Sequence, residues 1–260
     1  MSKIMAIANQ KGGVGKTTTT VNLAASLAAA GQRVLLVDLD PQGNATMGSG
    51  IDKRDLEVTV YHVLLGRKTV SEARKKSEVG KYDLLPANRD LAGAEIELVD
   101  VPHRETRLKD ALHAVVDEYD FVLVDCPPAL NLLTLNGLCA ARSVMIPMQC
   151  EYYALEGLSD LVNTIRKVRA SLNPVLEIEG LLRTMFDPRN MLAQQVSDQL
   201  QQHFGDKVYR TVIPRNVRLA EAPSYGVPAL YHDKVSKGTQ AYLALAGEML
   251  NNAAQSVASV

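Results

Sequence analysis

Residues 11 to 18 read Lys11-Gly12-Gly13-Val14-Gly15-Lys16-Thr17-Thr18, immediately after a short apolar run from Ile4 to Ala8 and immediately before a stretch of helical periodicity. Strand, glycine loop and helix in that order let backbone N–H groups turn inward around phosphate oxygens, while the positive end of the helix faces the same anion. In such a loop Lys16 reaches the β- and γ-phosphates and the Thr17 hydroxyl ligates Mg²⁺. A glycine turn joining strand to helix would explain a bare Gly-x-Gly, but not eight residues in this order. The loop departs from the general pattern Gly-x-x-x-x-Gly-Lys-[Ser/Thr], because Gln10 stands at the first glycine and a second lysine, Lys11, follows it.

Two further segments deliver carboxylates where strands should end. Leu35-Leu36-Val37-Asp38-Leu39-Asp40-Pro41-Gln42-Gly43-Asn44 places two acids before a turn. An aspartate with an ordinary pKa of about 4 is a weak base, so Asp40 is assigned to orienting the attacking water, with Asp38 behind the metal. Phe121-Val122-Leu123-Val124-Asp125 is an apolar strand ending in one acid, the arrangement in which Asp125 holds Mg²⁺ directly or through water. Thr17, Asp38 and Asp125 thus form the candidate metal set. All three elements are expected at strand C-termini, where open α/β sheets bind ligands.

The rest of the chain alternates in the same manner. Strands are expected over Ile4 to Ala8, Arg33 to Val37, Tyr82 to Pro86, Phe121 to Val124, Ser143 to Met148, Ile178 to Thr184 and Val208 to Ile213. Helices are expected from Lys16 to Ala30, with Gly31 as a left-handed stop, and over Glu105 to Glu118, Leu155 to Leu172, Met191 to His203 and Lys237 to Leu250. This predicts a mostly parallel twisted sheet with helices on both faces, in one P-loop domain over residues 1–250. Residues 48–81 and 87–107 read as insertions of short surface helices and loops, and 251–260 as a tail that frays.

Composition narrows the partners. With 260 residues, 47% apolar, and a formal net charge of -1, the chain reads as globular, cytoplasmic and without a membrane span. Cys126, Cys139 and Cys150 form neither a disulfide framework nor a Cys-x-x-Cys pair, and the five histidines lack metal-ligand spacing. Between residues 201 and 240 there are six bases (Lys207, Arg210, Arg215, Arg218, Lys234, Lys237) against three acids (Asp206, Glu221, Asp233). A modest excess of this kind can neutralise DNA phosphates without reading bases, although a solvated basic face is its commoner meaning.

The loop with Lys11 at its start resembles the deviant Walker A class that includes ParA and Soj, MinD and the nitrogenase iron protein. Further blocks make the chain resemble the ParA/Soj partitioning ATPases along nearly its whole length: Leu91-Ala92-Gly93-Ala94-Glu95, Gln149-Cys150-Glu151-Tyr152-Tyr153-Ala154-Leu155-Glu156-Gly157, and Ile213-Pro214-Arg215-Asn216-Val217-Arg218-Leu219-Ala220-Glu221-Ala222-Pro223-Ser224. The resemblance implies a slow ATPase, using ATP/ADP and Mg²⁺, that forms a homodimer when ATP-bound. It further implies nucleoid association through non-specific double-stranded DNA, and release when a ParB-type partner stimulates hydrolysis. It assigns Lys11 to the partner subunit's phosphates, Pro214 and Asn216 to the adenine site, and Arg189 and Arg218 to DNA; Lys234 and Lys237 of the basic 201–240 segment are secondary DNA candidates. It also gives the 149–157 segment the task of linking nucleotide state to the dimer face.

Three rivals share parts of this pattern. A MinD-like membrane-associated positioning ATPase would need a basic amphipathic C-terminal helix, and the tail has no Lys or Arg. A reductase of the iron-protein type would need a pair of cysteines for a bridging cluster, which Cys126 and Cys139 do not match. A scaffold that binds nucleotide without hydrolysis would leave Asp40 without a task.

Overall fold

The computed structural model describes residues 2–258. Seven strands form one sheet: β1 (Lys3–Ile7), β2 (Val34–Asp38), β3 (Lys75–Ser77), β4 (Tyr82–Leu85), β5 (Phe121–Asp125), β6 (Ser143–Gln149) and β7 (Glu177–Thr184). Their spatial order is β3-β4-β2-β5-β1-β6-β7, and all neighbours run parallel except β3 and β4. Every residue of β2 and of β5 is buried, which is why these segments are apolar without alternation.

Among the described residues twelve α-helices accompany the sheet: α1 (Lys16–Ala29), α2 (Asn44–Gly48), α3 (Val60–Leu64), α4 (Val70–Ala73), α5 (Leu91–Glu97), α6 (Arg107–Leu112), α7 (Leu132–Ala140), α8 (Ala154–Ser171), α9 (Met191–Phe204), α10 (Val217–Glu221), α11 (Ala229–His232) and α12 (Lys237–Ala258). Alternate residues of β1 face opposite ways. Met5 and Ile7 join Leu23, Leu27, Tyr242 and Leu245 of α1 and α12, whereas Ala6 and Ala8 belong to the core packed by α3 to α9. Helices therefore lie on both faces, as the alternation predicts. Gly31, at φ +81°, ends α1 with its N–H on the Ala28 carbonyl, a conformation that costs glycine little.

Four expectations need correction. The segment from Val208 to Ile213 is no strand: its backbone meets β7 in an isolated bridge from Leu181 to Val208 and in single bonds from the Tyr209 N–H to the Leu181 carbonyl and from the Ile213 N–H to the Arg183 carbonyl, and a second bridge joins Phe186 to Pro214 just beyond it. The buried Arg183 guanidinium donates instead to the Tyr209 and Arg210 carbonyls, drawing them out of a ladder. The helix expected over Glu105 to Glu118 is α6 followed by a 3-10 turn at Val116–Glu118; Asn136 fixes its start by bonding the Leu108 N–H and the Arg104 carbonyl. Residues 48–81 and 87–107 are more than surface loops, since Val60, Val63, Leu64, Val70, Leu91 and Ala94 enter the main core and Lys75–Ser77 adds an edge strand. Finally, α12 runs through Ala258 rather than ending at Leu250, because residues 251–258 contain no glycine or proline to stop it. Residues 259 and 260 of the expected tail lie outside the described residues.

Candidate active site

β5 sits between β2 and β1, and register places Asp125 level with Asp38 on one side and Ile7 on the other. The three sequence elements therefore meet at one sheet edge. The glycine loop climbs from β1 to α1 with Gly13 at φ +74° and Gly15 at φ +86°, backbone angles that glycine adopts without strain. A Cβ built on Gly12 or Gly13 would meet nothing within 4 Å, so the mouth of the loop is open to a ligand.

Lys16, the first residue of α1, is 7% exposed. Its ammonium donates to the Lys11 carbonyl at 3.2 Å, and burial pulls its pKa below the ordinary lysine value, with Asp125, Cys126 and Asp40 pulling the other way. The Lys11 side chain pairs with Glu151 of the same chain, both about half exposed.

Asp125 is wholly buried and clamped by two hydroxyls one turn apart on α1: Thr17 donates to Oδ2 at 2.8 Å and Thr20 to Oδ1 at 2.9 Å. Asp38, also wholly buried, accepts from the Thr46 N–H at 2.9 Å, the Thr46 hydroxyl at 2.8 Å and the Asp40 N–H at 3.1 Å. Burial raises both carboxyls above the ordinary range; the charge of Asp38 adds to the rise at Asp125 and that of Asp40 to the rise at both, while the hydrogen bonds to each carboxylate oppose it. Asp38 thereby anchors the turn that carries Asp40, whose own carboxylate accepts from the Gln42 N–H at 2.9 Å.

No cluster of three or more His, Cys, Asp or Glu residues able to hold a metal is present among the described residues. That fits Mg²⁺, which takes one or two hard oxygen ligands from protein and the remainder from phosphate and water. The Thr17 hydroxyl and the Asp125 carboxylate, 2.8 Å apart, are such a donor pair.

Beside the loop lies a cavity of about 160 Å³, lined by Gly15, Thr18, Thr184, Met185, Pro214 and Asn216, with Tyr242 among its walls. Pro214 and Asn216 thus stand where a base attached to loop-bound phosphates would lie. Asn216 is held by accepting the Leu219 N–H as the cap of α10. A larger cavity of about 520 Å³ occurs at the strands' other ends, between Lys3, Arg142, Glu177 and Lys207. It shares no wall with the loop.

The basic residues form a strip rather than a point. Arg189, 88% exposed in its side chain, pairs with Asp187 at 2.8 Å, and Arg215 lies near enough to help hold the Asp187 carboxyl low. Arg218 pairs with Glu221 at 2.8 Å and Asp233 at 3.3 Å. Lys234 and Lys237 follow, both exposed.

Contacts within the fold give several residues roles that the sequence did not assign. Thr20 clamps Asp125, Thr46 clamps Asp38, Thr184 bonds the Val14 carbonyl and Gln149 bonds the Gly13 carbonyl. The run of threonines after Lys16 was a local signal for Thr20, and Gln149 opens the 149–157 block quoted for the family resemblance.

A family model described as an AAA domain matches residues 2–178. Sporulation initiation inhibitor protein Soj of Bacillus subtilis (strain 168) is 58% identical over 252 residues, covering 97% of this chain and 100% of the relative. Chromosome partitioning protein ParA of Caulobacter vibrioides is 53% identical over 251 residues, covering 96% and 94%. A solved structure from Mycobacterium smegmatis, described as cobyrinic acid a,c-diamide synthase with bound ATP analog and magnesium, superposes with a TM-score of 0.84 at 40% identity, covering 96% of this chain and 95% of that one.

Proposed function

The chain belongs to the ParA/Soj family of chromosome-partitioning ATPases, and from that premise we propose that it is a nucleotide-gated DNA clamp. ATP closes two copies into a dimer, the paired basic strips hold double-stranded DNA without regard to sequence, and hydrolysis stimulated by a ParB-type partner opens it again. Its place of action in this reading is the nucleoid, within the cytoplasm.

The roles follow from the chemistry of each position. The loop amides and Lys16 bind the phosphates, and Pro214 and Asn216 bound the adenine. Thr17 and Asp125 hold Mg²⁺, with Asp38 bracing the turn behind them; when bound, the ion offsets negative charge on the phosphates. Asp40 orients the attacking water at the γ-phosphate. Lys11 leaves Glu151 and reaches the partner subunit's phosphates, a modest cost because half-exposed ion pairs are worth little.

One observation carries the coupling of nucleotide to DNA. The short stretch from Ile213 to Leu219 puts Pro214, Arg215 and Asn216 along the cavity beside the loop, while Arg218 of the same stretch is half exposed and pairs with Glu221 and Asp233 away from that cavity's walls. A nucleotide that reshapes one side of this stretch moves the other.

The membrane-positioning alternative finds no such support. From Gly238 to Ala258, α12 carries no Lys or Arg for anionic lipid, and no helix among the described residues is long and apolar enough to cross a membrane. A bridging cluster likewise lacks surface thiols, since Cys126, Cys139 and Cys150 are all buried.

The decisive experiment is a mobility-shift assay on random-sequence DNA with no nucleotide, ADP, ATP, and ATP with the Asp40→Ala protein. Retention only with ATP, strongest in the variant, is expected. Retention in no state would overturn the DNA clamp in favour of a membrane or scaffold role.

A further inference from the structure

Two side chains at the ends of neighbouring strands grip the glycine loop from behind, and we propose that one of them, Thr184, is a positioning residue for phosphate binding. This rests on residues 11 to 18 being the phosphate site. Thr184 ends β7 and is 2% exposed. Its hydroxyl donates to the Val14 carbonyl at 2.8 Å, and its Cβ and Cγ2 lie 3.9 Å from where a Cβ on Gly15 would stand. Gln149, at the end of β6, acts alike through its amide, which donates to the Gly13 carbonyl at 3.3 Å.

A trans peptide unit is planar, with its C=O and N–H pointing to opposite sides. Holding the Val14 carbonyl against Thr184 therefore turns the Gly15 N–H towards the mouth of the loop. Holding the Gly13 carbonyl turns the Val14 N–H the same way. Those are amides that a phosphate in the cradle would receive.

The loop cannot fix these planes by itself, because Gly13 and Gly15 move between positive and negative φ at little cost. Thr184 supplies the constraint from a strand that pairs with β6 along its length. It also lines the cavity assigned to adenine, so one side chain sets the phosphate end of the site in register with the base end. A loop shaped before the nucleotide arrives has less freedom to lose on binding.

The test is an isosteric change. Thr184→Val keeps the shape and removes the hydroxyl, and Thr184→Ser keeps the hydroxyl. Titration calorimetry gives the affinity for Mg·ADP, and ligand-observed NMR gives that for adenosine, which occupies the base cavity without touching the loop amides. Thr184→Val should bind Mg·ADP about tenfold more weakly, the scale of one lost buried hydrogen bond. Adenosine, whose cavity wall keeps its shape in Thr184→Val, should lose clearly less affinity than Mg·ADP, and Thr184→Ser should restore most of the Mg·ADP affinity.

Unchanged Mg·ADP affinity in Thr184→Val would overturn the proposal, and so would an equal loss for adenosine, which would reduce Thr184 to a wall of the cavity. Should Thr184→Val not fold, Gln149→Met removes the other tether and should weaken Mg·ADP about threefold, given the longer bond; no weakening there overturns the gripping of the loop. A wild-type protein that binds no Mg·ADP would bring down the phosphate site itself, a result recognisable before any variant is made.

Discussion

Asp38 and Asp125 lie opposite each other on adjacent strands, wholly buried, and among the described residues neither forms an ion pair with a basic side chain. Burial, above all, raises both carboxyls, so the folded, metal-free protein keeps protons that the unfolded chain has already released. Stability is then fully present below the unfolded carboxylate pKa and is lost as pH rises towards and through neutrality. The carboxyls of Asp52, Glu72 and Asp187 are pulled down to about 2 by hydrogen bonds from Arg54, Thr69 and Arg189, first among other causes. They are ionised in both states above about pH 5.5 and add no slope there. The lowered Lys16 acts with the opposite sign, and on the alkaline side. Each extra proton is worth about 1.4 kcal/mol per pH unit, a few degrees of melting temperature for a chain of this size. With EDTA, melting temperature should therefore fall between about pH 5.5 and pH 8, and Mg·ADP should flatten the fall; a flat profile in EDTA would show that these carboxyls hold no extra protons. Both acids were legible because each closes an apolar strand. The clamping role of Thr20 was not: a threonine hydroxyl that finds a carboxylate 105 residues away leaves no local pattern.

At the scale of elements, β1, β2, β5 and α1 were legible because a doubly buried strand and a small-residue helix leave strong local signatures. The failures have a common cause in side chains reaching across. Arg183 withdraws two carbonyls from the strand expected at Val208 to Ile213, and Lys75 and Lys76 look like loop residues because β3 is an edge strand, where lysine guards against further pairing. That same irregular stretch after β7 leads into Pro214 and Asn216, so its failure to become a strand is what opens a wall for the base cavity. The basic strip runs from here. Arg189 and Arg218 are already paired with Asp187, Glu221 and Asp233, but exposed pairs are worth little and can be exchanged for DNA phosphate. Replacing either arginine by Glu should lower DNA affinity at least about tenfold in anisotropy titrations. ATP-dependent dimerisation, followed by light scattering, should be unchanged, since neither side chain lines the nucleotide cavity. Loss of the dimer in step with DNA binding would place the strip at the subunit contact instead.

For the whole molecule, the proposed binding of DNA has to be reconciled with a net charge of -1. Overall attraction is absent, so binding must come from the local strip, and one strip is a weak anchor. Its arginines are partly neutralised by their own acidic neighbours, and each phosphate contact contributes separately through counterion release. In the proposed dimer two strips would act together: the second would engage at the high effective concentration set by the first, and the number of phosphates neutralised would roughly double. This makes salt dependence a direct reading of assembly. On random-sequence duplex, the slope of log affinity against log salt should be roughly twice as steep for Asp40→Ala with ATP as for the ADP-bound chain. Changing the duplex sequence should alter neither slope, because phosphate contacts carry no sequence information. Equal slopes with a higher affinity under ATP would mean that nucleotide reshapes a single strip without doubling it, and the stretch from Ile213 to Leu219 would then be acting within one chain rather than between two.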